Sequence, residues 1–426
     1  LPDGPFVEKG GVAQQTRELA RNGGERNLYT INADVMELWS DANTTTFGSI
    51  LYSYLLGDTA GETGNAVGEY EDMPATGLRP SIHGDVVHSR PLSIRYASDS
   101  VKVFYGSNDG MFRMIDAETG AEDWSLVAPE HYAGIQRLYE NSPLIAYEGI
   151  TEEPGYTYEN KDYFFDGSSG QLVEYSDAGD LSRAYIFPTM RRGGRMIYAL
   201  DVTSPSEPSL LWSFGCPNLD NDTGCSGDEA KIGQTWSFPI AGYVSGYDDE
   251  DPSDPQELPI AIFGGGFDEC LNEDVAALPA DCGSGKGRAI YVLDATNGTV
   301  LATYITDAPV VAEMDYVDIN FDGLIDYAYA VYAAGNLYRV DFSVMTGADP
   351  ETQVTGLDRD DWEMNKIAST PNNNDRRFLS APALGALKGT VVIAFGSGDR
   401  ERPLEANYPW ASSVQNRFYT LFDRPY

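Results

Sequence analysis

The sharpest constellation of hard oxygen donors in the sequence is Asp318-Ile-Asn320-Phe-Asp322-Gly323-Leu324-Ile-Asp326. Side-chain oxygens fall at positions 1, 3, 5 and 9, glycine at 6, and at 7 stands Leu324, which offers a backbone carbonyl. A calcium ion takes about six to eight oxygens at about 2.3 to 2.6 Å, and a tight loop in this register delivers them. Position 12 of an EF-hand would be Tyr329, which has no carboxylate. The stretch therefore reads as a compact site for one calcium ion, without flanking helices. Asp318, Asn320, Asp322, Asp326 and the Leu324 carbonyl are the ligands, and water or Asp315 completes the shell. The competing reading is a polar β-turn whose Asp and Asn side chains cap local backbone groups. Three clustered carboxylates with no basic residue nearby in sequence repel one another, which favours the ion.

The remaining candidates are weaker. Asp220, Asp222 and Asp228 form a second oxygen-rich stretch without the full register, and whether they bind a second ion is left open. The acidic run Asp248 to Asp251 reads as a solvated insertion. Of the three histidines, His83 and His88 flank a stretch beginning Gly84-Asp85, while His131 stands apart. A structural role for His88, before the Ser89-Arg90-Pro91 strand, outweighs a catalytic one because no partner is identifiable. Cys216 with Cys225 and Cys270 with Cys282 each close a short loop, and neither spacing is the CxxC of a zinc or redox site. Two disulfides formed in an oxidising compartment are expected, against four free thiols in the cytosol. There is no GxSxG elbow, HExxH helix, P-loop or dinucleotide fingerprint, so no residue is nominated for catalysis and none for holding an organic cofactor.

These residues need a scaffold, and composition points to strands. The 426 residues are 42% hydrophobic and include 44 Gly, 27 Tyr and 17 Phe, as expected of many short strands joined by tight turns. The formal charge of −38, from 28 basic and 66 acidic residues, repels a polyanion, so nucleic acid is an improbable partner. No apolar run of about 18 residues suggests a membrane span. The chain opens on Leu1-Pro-Asp-Gly-Pro5 without a signal peptide, and reads as a mature product or a piece of something longer.

A repeat organises the chain. An apolar strand closing on Asp recurs as Phe112-Arg-Met-Ile-Asp116, Ile197-Tyr-Ala-Leu-Asp201, Ile290-Tyr-Val-Leu-Asp294, Leu337-Tyr-Arg-Val-Asp341 and Tyr419-Thr-Leu-Phe-Asp423. Upstream of it recurs a strand with Gly in its exit turn, as in Val103 to Gly110, Ala261 to Gly266, Ala328 to Gly335 and Ile393 to Gly398. Further upstream is a proline-led strand, at Pro91, Pro143, Pro239, Pro309 and Pro382. Each unit reads as a four-stranded meander that cannot bury both faces alone, which radial packing solves. The predicted fold is an all-β modified β-propeller over residues 81–426, with five blades visible and six to eight expected. Long insertions are predicted at Glu148 to Leu181 and Gly242 to Pro259. Residues 1–80 are expected to form a cap or strap with helices at Val12 to Arg21 and Ser49 to Leu56, and a polar flexible stretch from Gly57 to Gly77.

Taken in order, several stretches resemble the C-terminal propeller of the PilY family of type IV pilus proteins. They are Gly84-Asp-Val-Val-His-Ser-Arg-Pro91, Tyr105 to Gly110, Gly193 to Val202, Ile262 to Gly266, the loop Asp318 to Asp326, Gly335-Asn-Leu-Tyr-Arg339 and Phe395-Gly-Ser-Gly-Asp399. The resemblance implies an exported, calcium-binding component at the pilus tip or base, associated with the outer membrane or cell surface. It also implies minor pilins as partners, attachment to host or abiotic surfaces, and a role in twitching motility through the balance of extension and retraction. The family's ligands map onto Asp318, Asn320, Asp322, Asp326 and the Leu324 carbonyl. The variable N-terminal adhesive region of full-length members is absent on this reading, so no adhesive target follows. A quinoprotein-type dehydrogenase using pyrroloquinoline quinone is the alternative from another class, and the lack of an adjacent cysteine pair counts against it. A secreted hydrolase with structural calcium is the third.

Overall fold

The computed structural model describes residues 11–22, 24–39, 49–57, 82–98, 100–146, 154–248, 257–272, 285–370, 376–399 and 415–425. The chain divides into two units. The first comprises Leu1–Ser169, Val173–Gly194 and Leu200–Leu210, and the second Gly170–Leu172, Arg195–Ala199 and Leu211–Tyr426. No helix among the described residues is long and apolar enough to cross a membrane.

In the first unit the two expected helices form, α1 (Gly11–Arg21) and α2 (Ser49–Leu56). Between them lies a hairpin that the sequence reading did not contain, β1 (Leu28–Asn32) and β2 (Val35–Leu38). Its two-residue turn holds Ala33 and Asp34 at φ of 47° and 62°, the twist that closes a tight hairpin. Then come β3 (Leu92–Ala97), β4 (Ser100–Gly106), β5 (Met111–Asp116) and β6 (Glu122–Val127). The sheet runs β2-β1-β6-β5-β4-β3, with β1 parallel to β6 and Thr30 opposite Val127. Five residues without clean alternation are too short a pattern to announce a strand, and β1 owes its place to the edge that β6 offers. After α3 (Tyr132–Glu140) comes a two-residue parallel pair, β7 (Leu144–Ile145) with β8 (Tyr158–Glu159).

Here the reading of Pro143 is corrected. Leu144 and Ile145 do not lead a meander; the first strand of the second sheet is β9 (Ser169–Tyr175), inside the stretch expected to be an insertion. Gly167 leads it in place of proline, where the backbone comes so close to Thr189 that a Cβ would meet its carbonyl. The sheet continues through β10 (Leu181–Pro188), β11 (Arg195–Asp201) and β12 (Ser209–Cys216), in the order β12-β11-β10-β9.

In the second unit, β13 (Ile240–Asp248), β14 (Glu257–Gly264), β15 (Ala289–Asp294) and β16 (Val300–Ile305) make a regular meander. Most described residues of the expected insertion from Gly242 to Pro259 thus belong to the β13–β14 hairpin, and residues 249–256 lie outside the described set. Next are β17 (Asp315–Val317), β18 (Tyr327–Val331), β19 (Asn336–Asp341), a small pair β20 (Ser343–Met345) and β21 (Val354–Gly356) around α4 (Pro350–Gln353), and β22 (Glu363–Ser369). Their main sheet is β17-β18-β19-β22. The last is three-stranded: β23 (Ala383–Leu387), β24 (Thr390–Gly396) and β25 (Phe418–Asp423).

All five Asp-closing segments are thus the third strand of a meander. In three of them, Asp116, Asp201 and Asp294, the closing aspartate accepts from a backbone N–H of the turn that follows, whereas Asp341 and Asp423 bind Arg339. Asp116 accepts from Thr119 N at 2.9 Å, and Asp294 from Thr296 N at 2.6 Å. Gly120 and Gly298 complete those turns at φ of 72° and 75°, where a side chain would be strained. Strand β18 shows why the repeat reads as apolar throughout. Ala328 and Ala330 face a core shared with Ile262, Val292 and Val340, while Tyr327, Tyr329 and Val331 face one shared with Val391, Ile393 and Phe395. With a side-chain period of two, a strand buried on both faces has no polar side to alternate with.

Candidate metal centre

The nine-residue loop connects β17 to β18, inside a meander as the repeat placed it, with Val317 opposite Tyr327 at its mouth. Asp318 organises the turn: its Oδ1 accepts from Phe321 N at 2.5 Å and Asp322 N at 3.2 Å, and its Oδ2 from Gly323 N at 2.8 Å. Phe321 and Gly323 sit at positive φ, 63° and 95°, and the Phe321 side chain projects into solvent. Asp322 Oδ1 accepts from Leu324 N at 2.9 Å, and Asn320 Nδ2 donates to Asp322 Oδ2 at 2.8 Å. Asp326 is buried. Its Oδ2 accepts from Ile319 N at 2.8 Å, and the Ser343 hydroxyl also bonds it.

These bonds are those of a capped polar turn, and they leave lone pairs for an ion, since each ionised carboxylate offers about four acceptor sites. The electrostatics favour a cation. Burial, reinforced by the charges of Asp322 and Asp318, raises the Asp326 carboxyl above its ordinary range, and the two hydrogen bonds only partly oppose this. Among the described residues no ion pair includes Asp318, Asp322 or Asp326. The donor set therefore fits a hard divalent ion in charge and chemistry. Its side chains do not yet form one shell. The one group of three His, Cys, Asp or Glu ligands within 4.8 Å of one another among the described residues is Cys216, Asp222 and Cys225. Closing the loop on an ion thus takes side-chain rotation. Asp315 stands two strand residues, about 7 Å, from the loop's mouth. It is tied to Tyr316 N at 2.9 Å and to the backbone at Leu384.

The loop's second half is anchored outside its own hairpin. Ile325 N donates to Tyr243 O at 2.7 Å, and Leu324 bridges in parallel to Tyr243 on β13. Phe342 N donates to Asp326 O at 2.9 Å.

The second oxygen-rich stretch is differently placed. Asp222 holds Arg195 at 3.0 Å and Lys286 at 2.6 Å, and Asp228 holds Lys231 at 2.8 Å, so both charges are matched by cations. Asp220 lies exposed in the turn made by Asn218. Cys216 and Cys225 are joined in a disulfide and have no thiolate to offer a metal. Cys270 is also disulfide-bonded, and its expected partner Cys282 lies outside the described residues.

Sequence reasoning missed the charged clusters of the first unit. Arg26 and Arg113 converge on Glu122, at 2.7 and 3.0 Å, and Arg113 also grips Asp109 at 2.6 Å. Asp109 in turn accepts from Gly84 N at 2.8 Å and from Ser107 Oγ at 2.6 Å. Burial opposes ionisation of Glu122, but the two guanidiniums prevail and lower its carboxyl to about 2. The available signal was an arginine in the apolar strand Met111-Phe-Arg113-Met-Ile. His88 meets the buried Asp166 at 2.6 Å, which Asn108 also contacts at 3.3 Å. His83 lies between Gly84 O and the Tyr105 hydroxyl. His131 packs edge-on to Phe164 and Phe165, and burial lowers it to about 3.

With this geometry established, known proteins place the chain. The model of the PilY1 β-propeller domain matches residues 56–424. The type IV pilus biogenesis factor PilY1 of Pseudomonas aeruginosa strain UCBPP-PA14 is 26% identical over 313 residues, covering 67% of this chain and 23% of that protein. A PilY1 homolog of Xylella fastidiosa strain Temecula1 is 28% identical over 402 residues, covering 87% of this chain and 27% of that protein. The chain thus spans about a quarter of the length of these curated relatives. The crystal structure of the Pseudomonas aeruginosa PilY1 C-terminal domain is similar in fold, with a TM-score of 0.50 at 19% identity over 77% of this chain and 58% of that one. Five Asp-closing meanders and a match along nearly the whole repeat region lead to one conclusion: this chain belongs to the PilY1 β-propeller family.

Proposed function

We propose that this chain is a non-enzymatic, calcium-binding propeller of the type IV pilus machinery, exported to the cell surface or pilus tip. There it supports pilus biogenesis and surface attachment through contacts with minor pilins and the substratum, and through the balance of extension and retraction that drives twitching. The observation that carries this reading is the β17–β18 loop, three carboxylates without a matching cation among the described residues, in a chain whose curated relatives are named pilus biogenesis factors. The Cys216–Cys225 disulfide supports an oxidising, exported setting.

Asp318, Asn320, Asp322 and Asp326 would hold the ion with the Leu324 carbonyl, and bound calcium would supply the positive charge the loop lacks. Because Asp326 reaches Ser343 on β20 and Ile325 hangs from Tyr243 on β13, a change at the loop is felt by two neighbouring strands. Calorimetric titration of the chain with calcium tests the site. The expected result is one bound ion in the parent and none in Asp318→Ala, with the circular dichroism of the two proteins alike. Unchanged affinity in the variant sinks the ligand assignment, and failure to co-purify with minor pilins sinks the pilus assignment.

A further inference from the structure

The β17–β18 loop is held by two elements of the second unit that carry none of its proposed ligands, β13 and β20. Two buried isoleucines stand between those ligands in sequence. Ile319 shares one core cluster with Val317, Tyr327 and Met345, and Ile325 shares the other with Val244, Phe342 and Trp362. The backbone bonds follow the same division. Ile325 N donates to Tyr243 O on β13 at 2.7 Å, and Phe342 N, at the root of β20, donates to Asp326 O at 2.9 Å. Ser343 and Met345 are buried and Val344 between them is exposed, so β20 turns its Ser343 face inward, where the hydroxyl bonds the Asp326 carboxylate.

Behind the loop the two holds meet. Strand β20 pairs with β21 in the register that sets Ser343 opposite Gly356, and Leu357 N closes the ribbon on Phe342 O at 2.8 Å. Gly356 lies so close to β13 that a Cβ there would stand 2.0 Å from Ser245 Oγ and 2.1 Å from Ser245 Cβ. Its φ lies outside the left-handed region, so glycine is needed for space and not for conformation. Ser245 follows Tyr243 by two residues, and one short stretch of β13 therefore fixes both the loop and the ribbon that fixes Asp326.

We propose that the β20–β21 ribbon, seated against β13 through Gly356, sets the calcium affinity of the loop, with Ser343 as the positioning residue for Asp326. This rests on the calcium reading of the loop. Asp318, Asn320 and Asp322 bond to groups of the loop itself, whereas Asp326 is also tied to Ser343 outside it. An ion binds more tightly where a ligand is already held, because less freedom is lost on binding. The coupling is reciprocal: a seated ribbon that strengthens ion binding is itself seated more firmly by the bound ion, by the same factor.

Calorimetric titration with calcium chloride, and amide hydrogen exchange of the 426-residue chain in chelator and in calcium, test this. In the parent, calcium should slow exchange at Ser343–Met345 and Val354–Gly356 by about tenfold, within the usual range of coupling between sites. Gly356→Ala pushes the ribbon off β13 without touching a proposed ligand. Its dissociation constant should rise about tenfold and its ribbon should exchange faster in chelator. Ser343→Ala should weaken binding while leaving the ribbon's exchange in chelator as in the parent. Combining Gly356→Ala with Ser245→Gly leaves the Cα of residue 245 at 3.5 Å as that residue's nearest atom, and should restore both affinity and exchange. Should Gly356→Ala fail to fold, Ser343→Ala decides the matter. Calcium binding without protection of the ribbon, or parent-like affinity in the folded variants, overturns the proposal and leaves the calcium reading standing. A parent that binds no calcium overturns both.

Discussion

Two regions of this protein bury carboxylates in opposite ways. Around β5 and β6, Glu122 and Asp109 lie against Arg26 and Arg113, and every charge has a guanidinium within 3.0 Å. In the β17–β18 loop, Asp326 is buried beside Asp318 and Asp322 with hydrogen bonds but no cationic side chain among the described residues. The electrostatic consequence has opposite sign. Glu122 is held down at about 2 by arginine, whereas Asp326 is pushed up by burial and by its own neighbours. A carboxylate whose charge the protein neutralises is structural. One left uncompensated, as Asp326 is, is where a cation from solution would supply the missing charge on the proposed reading.

The sharpest way to break this comparison is to remove Glu122. Glu122→Gln leaves Arg26 and Arg113 buried around a neutral group, and a loss of about 3 to 5 kcal/mol is expected in urea unfolding. A loss below about 1 kcal/mol would mean that the cluster is solvated and contributes little.

The next test uses the opposite sign. In chelator, Asp326→Asn should raise the urea midpoint, since it removes a charge that burial and two like neighbours disfavour. With free calcium about a hundredfold above its dissociation constant, the parent should gain about 2.7 kcal/mol and the variant nothing. A variant equally stabilised by calcium would remove the loop from consideration.

The smallest effect is in the pH profile of the metal-free protein. A depressed carboxyl such as Glu122 contributes stability above its unfolded pKa, and that stability is lost as pH falls toward about 2. The raised carboxyl of Asp326 does the reverse: its contribution is present at low pH and is lost as pH rises through its elevated folded value. Urea midpoints measured from pH 2 to 7 should show Glu122→Gln flattening the acid limb and Asp326→Asn removing a shallow decline above it. Calcium should remove that decline in the parent.

What the sequence determined is local in character. The Asp-closing strand was legible five times because the apolar run ending in Asp recurs, and in three copies the carboxylate fixes the next turn through backbone bonds. The turn between β17 and β18 was legible because its glycine and its alternate oxygens lie within nine residues, and the ion it would hold belongs to the proposed function. Helix α1 was legible from its amphipathic period, and α2 as a short apolar run.

What the tertiary structure decided depends on partners distant in the chain. Strand β1 pairs with β6 nearly a hundred residues later, and nothing in Leu28-Tyr-Thr-Ile-Asn32 names that edge. Strand β9 lay hidden in a presumed insertion because Gly167, not proline, leads it. Whether an aspartate meets an arginine, as Asp109 and Asp222 do, or only other carboxylates, as Asp326 does, is likewise set by which strands pack together. Charge is written residue by residue, but its compensation is a property of the packed fold, because coulombic attraction acts through space and not along the chain.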